Sequence, residues 1–498
     1  MNDSNVATPN PRYTEMLPDW QRIDDLLGGT QAMREAGETY LPQETGETPL
    51  RYNARLARTF LFPALSNTRE KLIEKPFAKP TGTRGDIPPL MEDVIDNVDL
   101  GGASMTMLAK WLLGSGLNYG RSHLFVDFQT TGGTQTALDE RVGKVRPYMI
   151  RVSARDLIDW SEVQSSTGRS VINEVRWLET ATVRDENDPW VSRVVERVRR
   201  YTAEEADGRW VATWSVYERA KAEDEWPIVP TDSGPFVWGG EGLPFFTFNP
   251  WRGSDRFATT PPLRDLSWLS IEHWQSSSDY RQALRFAALI MLVGRGLDAE
   301  KAKTGLALGH GAFHGFTSDT AKLEWVEAEG HSIAHLRVDL DRIAEAMEME
   351  GMQPFMRKRA NTTATSQRSN DTHNEAPIQA WVREANTTLT NAVKAAAKFL
   401  GIDMPEDFQV EIFNDFSVIE SGDADALIKL RQLSPPGIDH ETFIREMQRL
   451  GKLSDELEPA DIVEAVKREM EDMPGATDVV IDGVPDDPDD PDLGVNEA

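Results

Sequence analysis

Apolar positions in the first quarter of the chain recur at helical spacing. In PDWQRIDDLLGG, Pro18 to Gly29, the residues Trp20, Ile23, Leu26 and Leu27 share one face and two glycines close the segment, which predicts a short amphipathic helix. A second helix is expected from about Tyr52 to Lys75, after which EKPFAKP forces an extended exit at Pro76 and Pro80. A third, SMTMLAKWLLGSG, leads from Ser104 into Gly114 and Gly116, which read as its C-terminal cap. A strand, HLFVDF (His123 to Phe128), follows. The order helix, glycines, strand argues against a phosphate loop, which runs strand, glycines, helix and places Lys-Ser/Thr after the last glycine.

From Arg121 to about Pro250 the period changes to two. RPYMIRVSARDLIDW, SVINEVRWLET, RVVERVRRYTAE, RWVATWSVYERA and LPFFTFNPW are β-branched and aromatic runs separated by turn residues at hairpin spacing, so an antiparallel sheet is expected. Helical spacing then returns. Leu263 to Leu292 contains neither Gly nor Pro and would make about 45 Å of helix. It is apolar at Leu266, Trp268, Ile271, Trp274 and Leu284 but polar in its middle at Gln275, Ser276, Ser277 and Ser278, a pattern that suits packing against copies of itself. A Gly-rich, β-leaning piece follows, then a helix from about Ala334 to Glu350 and an Ala-rich helix from Thr372 to Leu400 closed by Gly401. The sum is an α+β chain.

Composition narrows the classes. At 498 residues and 39% hydrophobic the chain is large enough for several packed regions, and no window approaches the roughly 18 unbroken apolar residues of a membrane helix. The opening MNDSNVATPNPRY lacks the basic start and apolar run of a secretory signal, and cysteine is absent, which excludes disulfides and thiolate metal sites. The formal net charge of −29 argues against a broad nucleic-acid-wrapping face. Part of it is a tail: Glu471 to Ala498 holds ten acids, no base and interleaved prolines, a composition expected to be disordered.

Against that background one segment stands out. Gly351 to Asn370, GMQPFMRKRANTTATSQRSN, carries Arg357, Lys358, Arg359 and Arg368 and no acid. It joins two predicted helices, and its Thr, Ser and Asn residues suit a surface loop. Its cations can touch phosphates without reading bases, or pair with Glu345, Glu348 or Glu350 or with a neighbouring subunit; the sequence leaves both readings open. Two His pairs at spacing four, His310 with His314 and His331 with His335, have no HExxH glutamate, and Gly309, Gly311 and Gly315 oppose a helix around the first, so no metal or cofactor is expected. A glycoside hydrolase would need a paired-carboxylate site, and no acid pair stands out at a strand end or cleft loop. An enzyme is not expected.

The order of elements resembles the portal proteins of tailed double-stranded DNA bacteriophages. The resemblance is local in PRYTEMLPDWQRIDDLLGGTQAMREAGETYLP, RYNARLARTFLFPALSNTREKLIEKPFAKP, PPLRDLSWLSIEHWQSSSDYRQALRFAALIMLVGRG, TATSQRSNDTHNEAPIQAW and VEIFNDFS. It implies a mixed α/β wing over 1–255, a first stem helix within 256–292, a β-rich clip at 293–333, a second stem helix at 334–352, and a tunnel loop at 353–371. A long helix at 372–402, a helical crown at 403–472 and the acidic tail at 473–498 would complete the chain. By the same resemblance about a dozen copies form a ring at one capsid vertex of the virion, assembled in the host cytoplasm. Implied partners are the terminase large subunit, the major capsid or scaffold protein, a head-completion adaptor, and double-stranded DNA passing without sequence specificity. Arg357, Lys358, Arg359 and Arg368 would contact that DNA, and Leu266, Trp268, Ile271, Trp274 and Leu284 would pack the stem. A non-portal virion scaffold or adaptor is the alternative.

Overall fold

The computed structural model describes residues 5–414 except 129–144, 186–187, 189, 220–225, 227, 237, 252–255, 258, 289–290, 296–319, 321, 327–330 and 353–376; beyond 414 it describes 428–429, 431–432, 440–449 and 453. Contacts divide the chain into two units, Met1–Asp415 and Phe416–Ala498. In the second, the described helix is amphipathic, His440–Arg449, with Ile444 buried.

The first unit opens with helices. α1 is Pro11–Leu27, α2 Gly29–Ala36, α3 Pro49–Leu56 and α4 Ala64–Glu74. Helix α1 starts seven residues earlier than the spacing predicts: Asn10 caps it by accepting from the Arg12 N–H, Pro11 takes the first turn, and Pro18 lies inside. The single helix expected from Tyr52 to Lys75 is two, because the chain leaves helical geometry after α3 and Pro63 closes the break before α4. Strand β1 (Gly82–Arg84) and α5 (Pro89–Asp96) follow.

Helix α6, Met105–Tyr119, corrects the reading of Gly114 and Gly116 as a cap. Both lie inside it, and the left-handed cap is Gly120, at φ 77°. Close packing explains the glycines: a Cβ on Gly116 would lie 2.3 Å from the Phe248 ring, and one on Gly114 3.0 Å from Ile73 Cδ1.

The expected sheet is two. Strand β2 (Ser122–Phe128) is the centre of a three-stranded antiparallel sheet, with β3 (Pro147–Ser153) on one side and, from later in the chain, Phe245–Phe248 on the other. Between them in sequence runs a five-stranded meander: β4 Leu157–Gln164, β5 Ser170–Arg184, β6 Ser192–Ala206, β7 Arg209–Arg219 and β8 Ile228–Phe236. The β6–β7 connection is a two-residue turn, Asp207 and Gly208 at φ 52° and 75°, the positive-φ pair that a tight hairpin requires. Phe125 from β2 joins Trp177, Tyr201 and Phe236 in one core, so the two sheets share their interior. Phe245–Phe248 is β9.

Next comes α7, Arg264–Ala287. The helix predicted to reach Leu292 ends here, and strand β10, Met291–Arg295, takes over. It pairs antiparallel with β11, Lys322–Val326, and α8 (His331–Met352) follows. Helix α9, Pro377–Phe399, begins with proline in its first turn and buries Ile378, Trp381, Val382, Ala385, Leu389 and Val393 against α6 and the three-stranded sheet. Its predicted start at Thr372 lies outside the described residues. Strand β12 (Gln409–Glu411) pairs with β1, so residues 403–414, expected to open a crown, fold with the first unit.

The Gly116 contact yields a test. Gly116→Ala should destabilise the protein by about 1–3 kcal/mol through overpacking against Phe248, while Phe248→Leu in the same background should recover part of the loss. Thermal unfolding followed by circular dichroism measures both.

Candidate functional site

The region singled out by sequence centres on α7, β10, β11 and α8. Helices α7 and α8 pack on each other, and the β10–β11 hairpin joins them at one end. At the other end Glu350 lies near Asp265; burial first, and then the Asp265 carboxylate, push its pKa up. The two helices therefore run antiparallel. Gly351 lets the end of α8 approach α4, since a Cβ there would lie 2.6 Å from Thr68 Oγ1.

The start of α7 is held from three directions. Arg264 pairs with Asp19 at 3.1 Å. Arg22, itself paired with Asp19, donates to Ser267 Oγ at 2.8 Å and lies 3.9 Å over the Trp268 ring. The preceding segment packs on the α6–β2 corner: a Cβ on Gly120 would meet Thr259 Oγ1 at 2.7 Å, and fully buried Arg121 donates to the Phe257 carbonyl from beneath Trp160, 4.4 Å away. Burial pushes the Arg121 pKa down to about 9.

Of the five packing residues named from sequence, Leu266, Ile271 and Trp274 are buried within the chain itself, whereas Trp268 is 52% and Leu284 40% exposed. The serines have a role the periodicity does not reveal. Ser267, Ser270, Ser277 and Ser278 are all buried, small enough for neighbouring elements to approach α7 closely; Ser267 and Ser270 return their hydroxyls to the Arg264 and Leu266 carbonyls. Gln275 donates to the Tyr40 carbonyl at 2.9 Å. The polar middle thus faces this subunit's helical layer.

The solvent side of α8 carries Asp339, Asp341, Glu345 and Glu348, with Arg337 reaching Asp341 at 4.0 Å. Arg357, Lys358, Arg359 and Arg368 lie outside the described residues, as do His310 and His314. His331 and His335 stand in the first turns of α8, and among the described residues no group of three or more His, Asp or Glu could hold a metal. No helix among them is long and apolar enough to cross a membrane.

Beside the last turns of α7, Arg55 of α3 grips Glu47: two hydrogen bonds of 3.0 and 2.8 Å join side chains only 4% and 7% exposed. Arg55 also donates to the Pro42 carbonyl, which fixes the turn before α3. Sequence spacing gave no sign of this pair, because its members belong to different local structures.

The family model described as Domain of unknown function (DUF4055) matches residues 262–400, which span α7, the hairpin, α8, the basic segment and α9. No curated protein matches the chain. Among solved structures, a chain of the virion of a native gene transfer agent particle is similar at a TM-score of 0.37 and 13% identity, covering 78% of this chain and 90% of that one. A chain of the neck of a native gene transfer agent particle, computed with C12 symmetry, is similar at 0.38 and 12%, with the same coverage. Similarity at this level assigns neither fold nor function.

The Glu47–Arg55 pair has a pH signature. Hydrogen bonding from Arg55 is the main cause holding the Glu47 carboxyl below its ordinary value. A depressed folded pKa contributes stability above the unfolded value and loses it as pH falls through the folded one. Glu47→Gln should therefore cost about 1.5–3 kcal/mol at neutral pH. The gap between mutant and wild type should close as the pH is lowered below the carboxylate range, as read by urea unfolding at a series of pH values.

Proposed function

We propose that this chain is a portal subunit of a tailed double-stranded DNA phage, with a structural and not an enzymatic role. Copies assemble into a ring at one capsid vertex of the virion, through which the genome is packaged and ejected. The terminase and the tail connector dock on that ring. The observation that supports this reading is the continuous run from α7 through the antiparallel hairpin to α8, then the basic acid-free segment and α9. Two antiparallel helices ending in a hairpin make a rigid post, and α8 ends at the end of the post remote from the hairpin.

On this reading the charges divide the work. The exposed acids of α8 repel phosphates, so DNA does not adhere to the channel wall. Arg357, Lys358, Arg359 and Arg368 supply one band of cations per subunit, which touches the backbone transiently and reads no bases. A scaffold or adaptor would share the oligomerisation but has no use for that cation band.

Imaging of the purified protein in negative stain, with native mass spectrometry, should show rings with a central hole; a compact monomer under all assembly conditions would remove the proposal. Replacing Arg357, Lys358, Arg359 and Arg368 by Ser should leave rings intact and reduce DNA retention and its salt dependence. Loss of rings would instead assign these bases to subunit contacts. Ser277→Pro removes a backbone hydrogen bond in the middle of α7, at a cost of about 3 kcal/mol per subunit. It should abolish rings while the five-stranded sheet still folds, as read by light scattering and circular dichroism.

A further inference from the structure

Most arginines of the five-stranded sheet are already spoken for. Arg176 pairs with Asp159, Arg197 with Glu218, Arg199 with Glu179, Arg200 with Glu174 and Arg219 with Glu196. In a chain of net charge −29 such pairing is easily satisfied, so exposed arginines without a partner call for an explanation. Three of them line one groove. Arg51 in the first turn of α3, Arg58 just beyond its end and Arg285 in the last turn of α7 are exposed, and none has an ion pair among the described residues.

The groove, about 620 Å³, lies between the end of α7 and the turn leading into α3. Two large apolar side chains flank the arginines: Leu50, 82% exposed, and Phe286, 60% exposed. Glu44 and Glu47 supply carboxylates to the wall, the second already paired with Arg55. The turn that carries them is fixed by the Glu47–Arg55 pair, so the groove is preformed on one side by a buried ion pair and on the other by a helix end.

We propose that this groove docks a short acidic peptide segment of a partner protein, one whose carboxylates alternate with bulky apolar residues. The charge complementarity is direct: three guanidiniums without an ion pair among the described residues, each able to bind a carboxylate in a bidentate fork, face solvent from a strongly acidic molecule. Leu50 and Phe286 lose exposed apolar surface when a bulky side chain sits between them. The volume falls in the range of about 300–1,000 Å³ that accommodates a few side chains and not a domain. A nucleic acid fits less well, since a phosphate backbone offers nothing to Leu50 and Phe286. The site is separate from the basic segment and does not depend on the channel reading.

The test uses the full-length protein and a short fluorescent peptide in which Glu and Asp alternate with Leu and Trp, followed by anisotropy. Saturable binding that weakens with added salt is expected, together with at least about a tenfold loss of affinity in Arg51→Glu/Arg58→Glu/Arg285→Glu. The triple Lys variant should retain more binding than the triple Glu variant, and Leu50→Ser/Phe286→Ser should weaken binding without changing its salt dependence. All substituted side chains are exposed, so unchanged circular dichroism and particle size serve as the folding control. The proposal is overturned if wild type does not bind the peptide, if charge reversal leaves its affinity unchanged, or if a basic counterpart of the peptide binds equally well. It is also overturned if a short DNA duplex displaces the peptide and itself loses affinity on charge reversal. None of these outcomes touches the channel reading, which stands or falls on ring imaging.

Discussion

The first unit is organised by a strand that has no solvent face. Every residue of β2 from Ser122 to Asp127 is buried, with α6 and α9 against its sheet and the five-stranded meander sharing its core through Phe125. A strand buried on both sides leaves its polar groups only the protein for partners, and two of its residues are charged or titratable. Asp127 accepts from Tyr148 and Tyr201 at 3.0 and 2.9 Å, which ties β3 of one sheet and β6 of the other to the same carboxylate. Burial raises its pKa, opposed by the Phe128 N–H and the two hydroxyls. His123, fully buried and stacked on Phe245 at 5.0 Å, is held neutral by the same loss of water. The two sheets are therefore tied together at one carboxylate, and the corner at Gly120 and Arg121 packs against the segment that enters α7.

That corner shows what sequence periodicity can and cannot give. The switch from period 3.6 to period 2 near Arg121, the hairpin strands and the long helices were legible, because each rests on local alternation of side chains. The identity of the α6 cap was not: Gly114 and Gly116 carry the usual mark of a helix end, but their role is to admit Phe248 and Ile73, residues set by distant sequence. The end of α7 was ambiguous for a different reason. The run from Leu289 to Val293 is apolar throughout, and an unbroken apolar run does not distinguish a continuing helix from a buried strand. Register with Lys322–Val326 decides it.

Charge was legible in the same partial way. The acid-free segment could be found by composition alone, since three of its four cations are consecutive and no acid interrupts the run to the fourth. The groove at the end of α7 could not, because Arg51 and Arg285 are brought together only by the packing of α3 on α7. Nor could the sheet arginines be discounted beforehand. RVVERVRRY reads as a basic stripe until the register sets Arg197, Arg199 and Arg200 beside acids of the flanking strands.

The structure also limits how α7 can serve an assembly. Leu266, Ile271 and Trp274, the apolar positions that suggested self-association, are already covered by this subunit, and the buried serines admit its own neighbours. A surface that is already dry contributes no further hydrophobic stabilisation to a subunit contact. On the proposed ring reading, contacts between copies along this helix use its other side, where Trp268 and Leu284 are interspersed with Asp265, Glu272, Asp279 and Arg281. Such a face is mixed, and charged groups within it cost desolvation unless the partner pairs them. In the proposed ring, a contact through α7 is thus selective: it rewards a neighbour in register, whose charges meet their opposites, and penalises one displaced by a turn.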